Sequence, residues 1–272
     1  MHARINIGPG TGLRILLVLA AGLALLTPLG AFAQTSSLFG SPTSAETTSR
    51  TGVQPVSRFA EFGQIEEMIQ LPAGSWRAAR MSGSDGFYLI SDNGRFVIDV
   101  ARGRALDTFS GRPIQSFEDA RWSATHMTMD GLPDFWSDLE PMEIGTGTRR
   151  VAVFVDPYCP YCHELLASVD PDVSDVTLMI LPVPFLGQQS GEAVTALHCA
   201  TDSAAAVEAL RSTRFHGLER REECGLEPVQ RRMVAARMLG VRGVPFMLDL
   251  DSGRFVEGIP RPSPALWLET VR

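Results

Sequence analysis

The chain has 272 residues, a formal net charge of −7 and four cysteines. The acidic balance excludes a nucleic-acid binder, which would carry a basic field or stripe. The pairs Arg149-Arg150, Arg220-Arg221 and Arg231-Arg232 are too short and scattered to supply one and read as solvated faces.

Arg4 and Arg14 precede the apolar run 15–26, which gives way to Pro28, Gly30 and Ala31-Phe32-Ala33. A charged start, an apolar middle and a small-x-small ending are the layout of a cleavable secretory signal, residues 1–33. The run meets helix breakers well before the roughly 20 residues a membrane-spanning helix needs. Taking away its two arginines moves the charge from −7 to −9. With export comes an expectation for the four cysteines: disulfide chemistry rather than reduced cytosolic thiols. Residues 34–56, rich in Ser and Thr with Gly and Pro, cannot bury enough apolar surface to offset the entropy of ordering and read as a flexible leader. About 210 residues remain, enough for one large domain or two small ones.

Residues 57–112 read as a small α+β unit. Phe59, Phe62, Ile65, Met68 and Ile69 recur at helical spacing over 57–70. Phe87-Tyr88-Leu89-Ile90 and Phe96-Val97-Ile98 flank Asn93-Gly94, the signal for a type I′ hairpin. Residues 113–143 form a connector, with helical periodicity around Phe117, Ala120, Trp122 and Met127 and a break at Gly131-Leu132-Pro133. Within 144–272, the apolar run 150–155 suits a strand buried on both faces. A helix over 163–169, a strand over 176–183 and helices over 190–200, 202–211 and 227–239 follow. A hairpin turns at Asp251-Ser252-Gly253, and Ser263 caps a last helix with Pro264 at its first position. The order β, α, β, helices, ββ, α is that of an α/β, thioredoxin-like fold with a helical insertion.

Cys159 lies where a strand gives way to a helix, a position that offers a sulfur unpaired backbone N–H groups and the positive end of the helix dipole. Such sites bring the cysteine pKa from near 8.5 to between about 3.5 and 7.5. Cys159 is therefore expected to attack, and Cys162, one turn on, to resolve the mixed disulfide. Two plainer readings compete: a permanent disulfide, or half a zinc site. No second CxxC or His-x-x-x-His completes the four ligands zinc takes, so no metal is expected, and dithiol exchange fed by a reductase requires no bound cofactor. Gly243-Val244-Pro245 opens a strand, and a cis Val244–Pro245 bond facing Cys159 is predicted, proline being the residue for which the cis form is inexpensive. His163 can tune the thiolate or simply sit on the helix surface; Asp156 can be a buried proton acceptor or a turn former. Met68, Met127 and Met142 can line a cleft or fill a core.

The stretches 154–163 (FVDPYCPYCH), 239–245 (LGVRGVP) and Gly258-Ile259-Pro260 resemble the periplasmic disulfide isomerases of the DsbC/DsbG family. The hairpin 86–100 is similar to that family's N-terminal dimerisation domain. The resemblance implies Cys159 and Cys162 as the redox pair and Pro245 as the cis-proline. It also implies a V-shaped homodimer with an apolar cleft, and a DsbD-type inner-membrane reductase as electron source. Cys199 and Cys224 lie where the family keeps a structural disulfide; closing that loop stabilises by roughly 3 kcal/mol in the chain-entropy model. A second redox centre there is the alternative, with nothing in the neighbouring sequence to lower a thiol pKa. The family's isomerases place Thr before the cis-proline, whereas Val244 is what DsbA-type oxidases carry. The expected activity is therefore a periplasmic isomerase or reductase acting on unfolded or misoxidised exported proteins. Its rivals are a net dithiol oxidase and a non-enzymatic holdase chaperone.

Overall fold

The computed structural model describes residues 63–72, 74–128, 135–170 and 175–270; the signal, the leader, Phe59, Phe62 and the Gly131–Pro133 break lie outside them. Among the described residues no helix is long and apolar enough to cross a membrane.

Six strands come first: β1 (Ile65–Gln70), β2 (Trp76–Met81), β3 (Tyr88–Ser91), β4 (Phe96–Asp99), β5 (Arg104–Asp107) and β6 (Arg112–Ile114). They pair in sequence order as one antiparallel sheet, with β1 at its edge. Where a helix is expected over 57–70, the described residues hold the strand Ile65–Gln70. A bulge explains the misreading. The register slips between Ile65 and Glu67, so that Ile65 opposes Met81 and Met68 opposes Ala79. Residues three apart then share a face, a spacing that imitates a helix.

The hairpin at Asn93-Gly94 forms, with Ile90 opposite Val97, but its turn is not type I′. Only Gly94 takes a positive φ, +74°, whereas type I′ needs both central residues there. Asn93 is committed elsewhere: its Nδ2 donates to the Met238 carbonyl at 3.3 Å. The helical element beside this sheet is α1 (Phe117–Ser123), next to β6 and closed by a Ser116/Asp119 capping box.

A short 3-10 turn (Ser137–Leu139) leads into the second sheet, built from β7 (Met142–Ile144), β8 (Arg149–Val155), β9 (Val176–Pro182), β10 (Phe246–Asp249) and β11 (Phe255–Glu257). Its order is β11-β10-β8-β9-β7, with β8 and β9 parallel and the other pairs antiparallel. The helices are α2 (Pro160–Ser168), α3 (Gln188–His198), α4 (Ser203–Ser212), α5 (Glu227–Leu239) and α6 (Pro264–Thr270). Alternation along β8 and β9 explains the layering. Val151, Val153, Val155, Leu178 and Ile180 pack on one side with Leu165, Leu197, Leu210 and Trp267. Ala152, Phe154, Met179 and Leu181 pack on the other with Ala235, Ala236 and Leu239 of α5. Both faces being covered, strand β8 reads as a continuous apolar run.

The two sheets are joined closely. Arg95 is buried, pairs with buried Asp107 at 2.8 Å and donates to the carbonyls of Ser123 and His126. Its guanidinium lies over the rings of Phe96, Phe109 and Phe255, the last on β11. Met127 N donates to Gly253 O at 2.7 Å and Phe255 N to Thr125 O at 2.8 Å, which lays residues 125–127 along the β10–β11 hairpin.

In two of the arginine pairs read as solvated, one member is not: Arg150 and Arg231 are exposed, but Arg149 and Arg232 are withdrawn from solvent. Arg149 is bound to buried Asp249 at 2.8 Å and donates to Leu268 O. Arg232 is 1% exposed and donates to the carbonyls of Leu139 and Glu140 at 2.7 and 2.6 Å. Burial draws its pKa down to about 10, against the pull of the nearby Glu140 charge. Charge patterning along the chain cannot reveal this, because the carbonyls come from 92 and 93 residues away. Met127 and Met142 are core residues, whereas Met68 is exposed.

Candidate active site

Residues 151–155 of strand β8, all buried, deliver the chain to Asp156. There the backbone turns: Tyr158 N donates to Asp156 Oδ1 at 2.8 Å and Cys159 N to Asp156 O at 3.1 Å. Cys159 is the N-cap of α2, with extended backbone and Pro160 in the first helical position. A proline fits there because that N–H would have no helical partner.

The sulfur of Cys159 makes no capping bond to the helix N–H groups. Its thiol donates instead to Val244 O at 3.5 Å. The Val244–Pro245 bond is cis, and Pro245 O accepts from Gly258 N at 2.7 Å. A second cis bond, Arg261–Pro262, had no separate signal in the sequence. The geometry thus brings Cys159, Cys162, Val244 and Pro245 together from positions more than 80 residues apart in the chain.

Cys159 and Cys162 are both free and buried, and Cys162 has no exposed surface. Burial pushes the Cys162 thiol far above the ordinary cysteine range; a hydrogen bond from the Asp156 backbone works the other way, while the Cys159 sulfur and the Asp156 charge add to the rise. Within the motif Tyr161 is 62% exposed, and Leu186, whose amide donates to Asp156, is 60% exposed.

His163 lies on α2, its Nε2 2.9 Å from Pro157 O, while buried Nδ1 has no partner among the described residues. It bonds to the motif's own loop rather than standing free on the helix surface. Asp156 is buried and accepts from Tyr158 N, Ser190 Oγ and Leu186 N at 2.8, 2.8 and 2.9 Å. Of the two roles considered for it, the turn former is the one these bonds describe. Ser190 and Leu186 escaped the sequence reading because they reach Asp156 from 34 and 30 residues downstream.

Cys199 and Cys224 form a disulfide with Cα atoms 5.6 Å apart. Arg221 Nη2 lies 3.9 Å from the Cys224 sulfur, a charge the neighbouring-sequence reading had not connected to this pair.

Residues 143–267 match the family model described as a thioredoxin-like domain. The chain is 32% identical over 164 residues, 60% of its length, to a protein of Bordetella pertussis named "Probable thiol:disulfide interchange protein DsbC", and 26% identical over 179 residues to its namesake in Bordetella avium. It spans only about half the length of such curated relatives, 55% for the former. Among solved structures it overlaps a disulfide interchange protein from Neisseria gonorrhoeae at 24% identity and a TM-score of 0.40, covering 48% of this chain and 96% of that one. Residues 143–267 thus match a thioredoxin-like domain, and over 164 residues the chain is similar in sequence to thiol:disulfide interchange proteins named DsbC.

Proposed function

We propose that this chain is an exported, periplasmic thiol–disulfide oxidoreductase that repairs misoxidised proteins, chiefly as an isomerase or reductase. The observation that carries the reading is the pair of free, buried thiols at the start of α2, with the Cys159 sulfur 3.5 Å from the Val244 carbonyl. The Cys159 thiolate attacks one sulfur of a substrate disulfide, forming a mixed disulfide and releasing the other substrate sulfur as thiolate. That thiolate can attack elsewhere in the substrate until Cys159 is displaced, which rearranges the disulfide with no net redox change. Alternatively, Cys162 attacks the Cys159 sulfur, closes the Cys159–Cys162 disulfide and leaves the substrate reduced by two electrons. An inner-membrane reductase of the DsbD type then restores the dithiol, and the protein needs no bound cofactor.

The exposed apolar residues Ile65, Met68 and Ile69 on edge strand β1 support homodimer formation through the first sheet. Val244 beside the redox pair favours a second reading, a net oxidase that donates its disulfide. Purified protein incubated with scrambled and with reduced ribonuclease separates the two. Faster reactivation of the scrambled substrate, lost in Cys159→Ser, is expected; activity on the reduced substrate alone establishes the oxidase. Full rescue of cells lacking the protein by Cys159→Ala instead establishes a holdase.

A further inference from the structure

The Cys199–Cys224 disulfide is unequal at its two ends. Cys199, at the end of α3, is 5% exposed. Cys224 is partly exposed and lies within residues 221–226, which belong to no helix or strand. Backbone bonds hold that loop independently of the sulfurs. Arg221 N donates to Cys199 O at 2.9 Å and Thr201 N to Glu219 O at 3.0 Å, beside a bridge between Ala200 and Arg220. The start of the loop is therefore tied to the end of α3 whether the disulfide is closed or open. A cation stands at the more exposed sulfur. Arg221 Nη2 donates to His198 O and lies 3.9 Å from Cys224 Sγ, and among the described residues no carboxylate is within ion-pair distance of it. The other charged or titratable groups nearby are Arg220, Glu222 and Glu223 on the loop, His198 of α3, and Glu227 of α5, whose Oε2 would lie 2.2 Å from a Cβ added at Gly225. Among the described residues, Arg221 is the charged group within hydrogen-bonding distance of the Cys224 sulfur. A guanidinium beside a cysteine favours its thiolate, and an exposed disulfide exchanges more readily than a buried one.

We propose that Cys199–Cys224 is a second exchangeable disulfide, opened at Cys224 by a dithiol reductant and kept exchangeable by the Arg221 guanidinium. This needs no particular role for Cys159 and Cys162. One thiolate of the reductant attacks Cys224 Sγ; the bond to Cys199 breaks, and Cys199 leaves with the electron pair and takes a proton from solvent. The reductant's second thiol, losing its proton, then attacks the reductant sulfur bound to Cys224. Cys224 leaves as a thiolate beside Arg221, and the reductant ends as a disulfide, oxidised by two electrons. Opening loosens Gly225, whose carbonyl lies 2.9 Å from His198 Nε2. His198 in turn faces Arg232, which holds the carbonyls of Leu139 and Glu140. A chain of bonds therefore runs from this disulfide to the turn that leads into the second sheet.

In the full chain, Cys159→Ser with Cys162→Ser leaves the second pair as the only reporter and serves as parent. The folded protein is equilibrated with mixtures of reduced and oxidised dithiothreitol, without denaturant. Free thiols are counted by mass after alkylation, while circular dichroism follows the fold. Reversible reduction with the fold retained is expected. Arg221→Gln removes the charge and keeps a donor for His198 O. A tenfold gain in acidity, the effect of one unit on an ordinary cysteine, favours the reduced form about fivefold at pH 8.5 and less than about 1.5-fold at pH 7. Half-reduction of Arg221→Gln should therefore take about five times the parent's ratio of reduced to oxidised dithiothreitol at pH 8.5, with nearly equal ratios at pH 7. A purely structural loss would shift both alike. Should Arg221→Gln not fold, the parent in about 1 M salt, where the Debye length falls to about 3 Å, replaces it, and its ratio is expected to rise at pH 8.5 only. Reduction that occurs only as the protein unfolds overturns the proposal. So does a variant shift that is absent or equal at the two pH values, or a salt-insensitive ratio. Failure of Cys159 in the intact chain to react with a substrate disulfide overturns the oxidoreductase reading instead and leaves this one standing.

Discussion

His198 is the neutral member of a buried polar trio. Its Nε2 lies 2.9 Å from Gly225 O and its Nδ1 3.5 Å from Arg232 Nη2, which assigns the proton to Nε2 and the lone pair to the arginine. Burial first, then the charges of Arg232 and Arg221, lowers its pKa below the ordinary 6.5 in spite of the Gly225 bond and Glu140. The unfolded chain therefore takes up this proton at a higher pH than the folded one. The contribution to stability is complete above 6.5 and is lost as the pH falls toward the folded-state value, where the loss levels off. Urea midpoints at pH 7.5 and 5.5 should show the parent losing stability relative to His198→Gln, which can still donate to Gly225 O; parallel midpoints would contradict this. The cysteines and Pro245 were legible at this scale, because CPYC between strand and helix is a local pattern. Asp156 was legible as a candidate only, because its partners Leu186 and Ser190 come from another segment.

At the scale of elements, strongly periodic segments were readable and bulged or tethered ones were not. The helix over 227–239 and the buried strand beginning at 149 or 150 emerge from composition and spacing alone. Strand β1 did not, since its bulge replaces alternation with a spacing of three. The hairpin at Gly253 shows how tightly one element is fitted to another. Gly253 has φ +72°, and a Cβ there would lie 2.2 Å from Met127 O, the residue whose N–H it accepts. Gly253→Ala adds left-handed strain of about 1–2 kcal/mol and a steric conflict of similar size, so a loss of about 3 kcal/mol is expected. Thermal unfolding should fall by roughly 6–12 °C, with faster hydrogen exchange at the Met127 amide. Gly83→Ala is the control, with φ +74° and nothing within 4 Å of the added carbon. Equal losses in the two variants would remove the contact from the explanation.

For the whole molecule, Arg95 links the first sheet, the end of α1 and β11 of the second sheet. Arg95→Met leaves the Asp107 carboxylate buried without its cation, and removing one partner of a buried pair costs about 3–5 kcal/mol. Arg95→Met with Asp107→Asn should recover more than half of that loss in denaturant unfolding. If the double variant is no more stable than the single one, the guanidinium acts through its ring and carbonyl contacts and not through the charge pair. The same junction is expected to fix the spacing between the dimer edge proposed on β1 and the proposed redox pair.

By itself the sequence determined the thioredoxin-like order of strands and helices, the placement of the two CPYC cysteines, and the proline that faces them. Those properties depend on hydrophobic period, helix-start chemistry and the special backbone of proline, all carried by neighbouring residues. Tertiary structure alone decided that Arg232 is buried, that Asp156 ties two loops together, and that β1 is a bulged edge strand. Each of these turns on a donor, acceptor or pairing partner that folding brings from elsewhere in the chain, and desolvation gives such a contact its weight only once the partners have met.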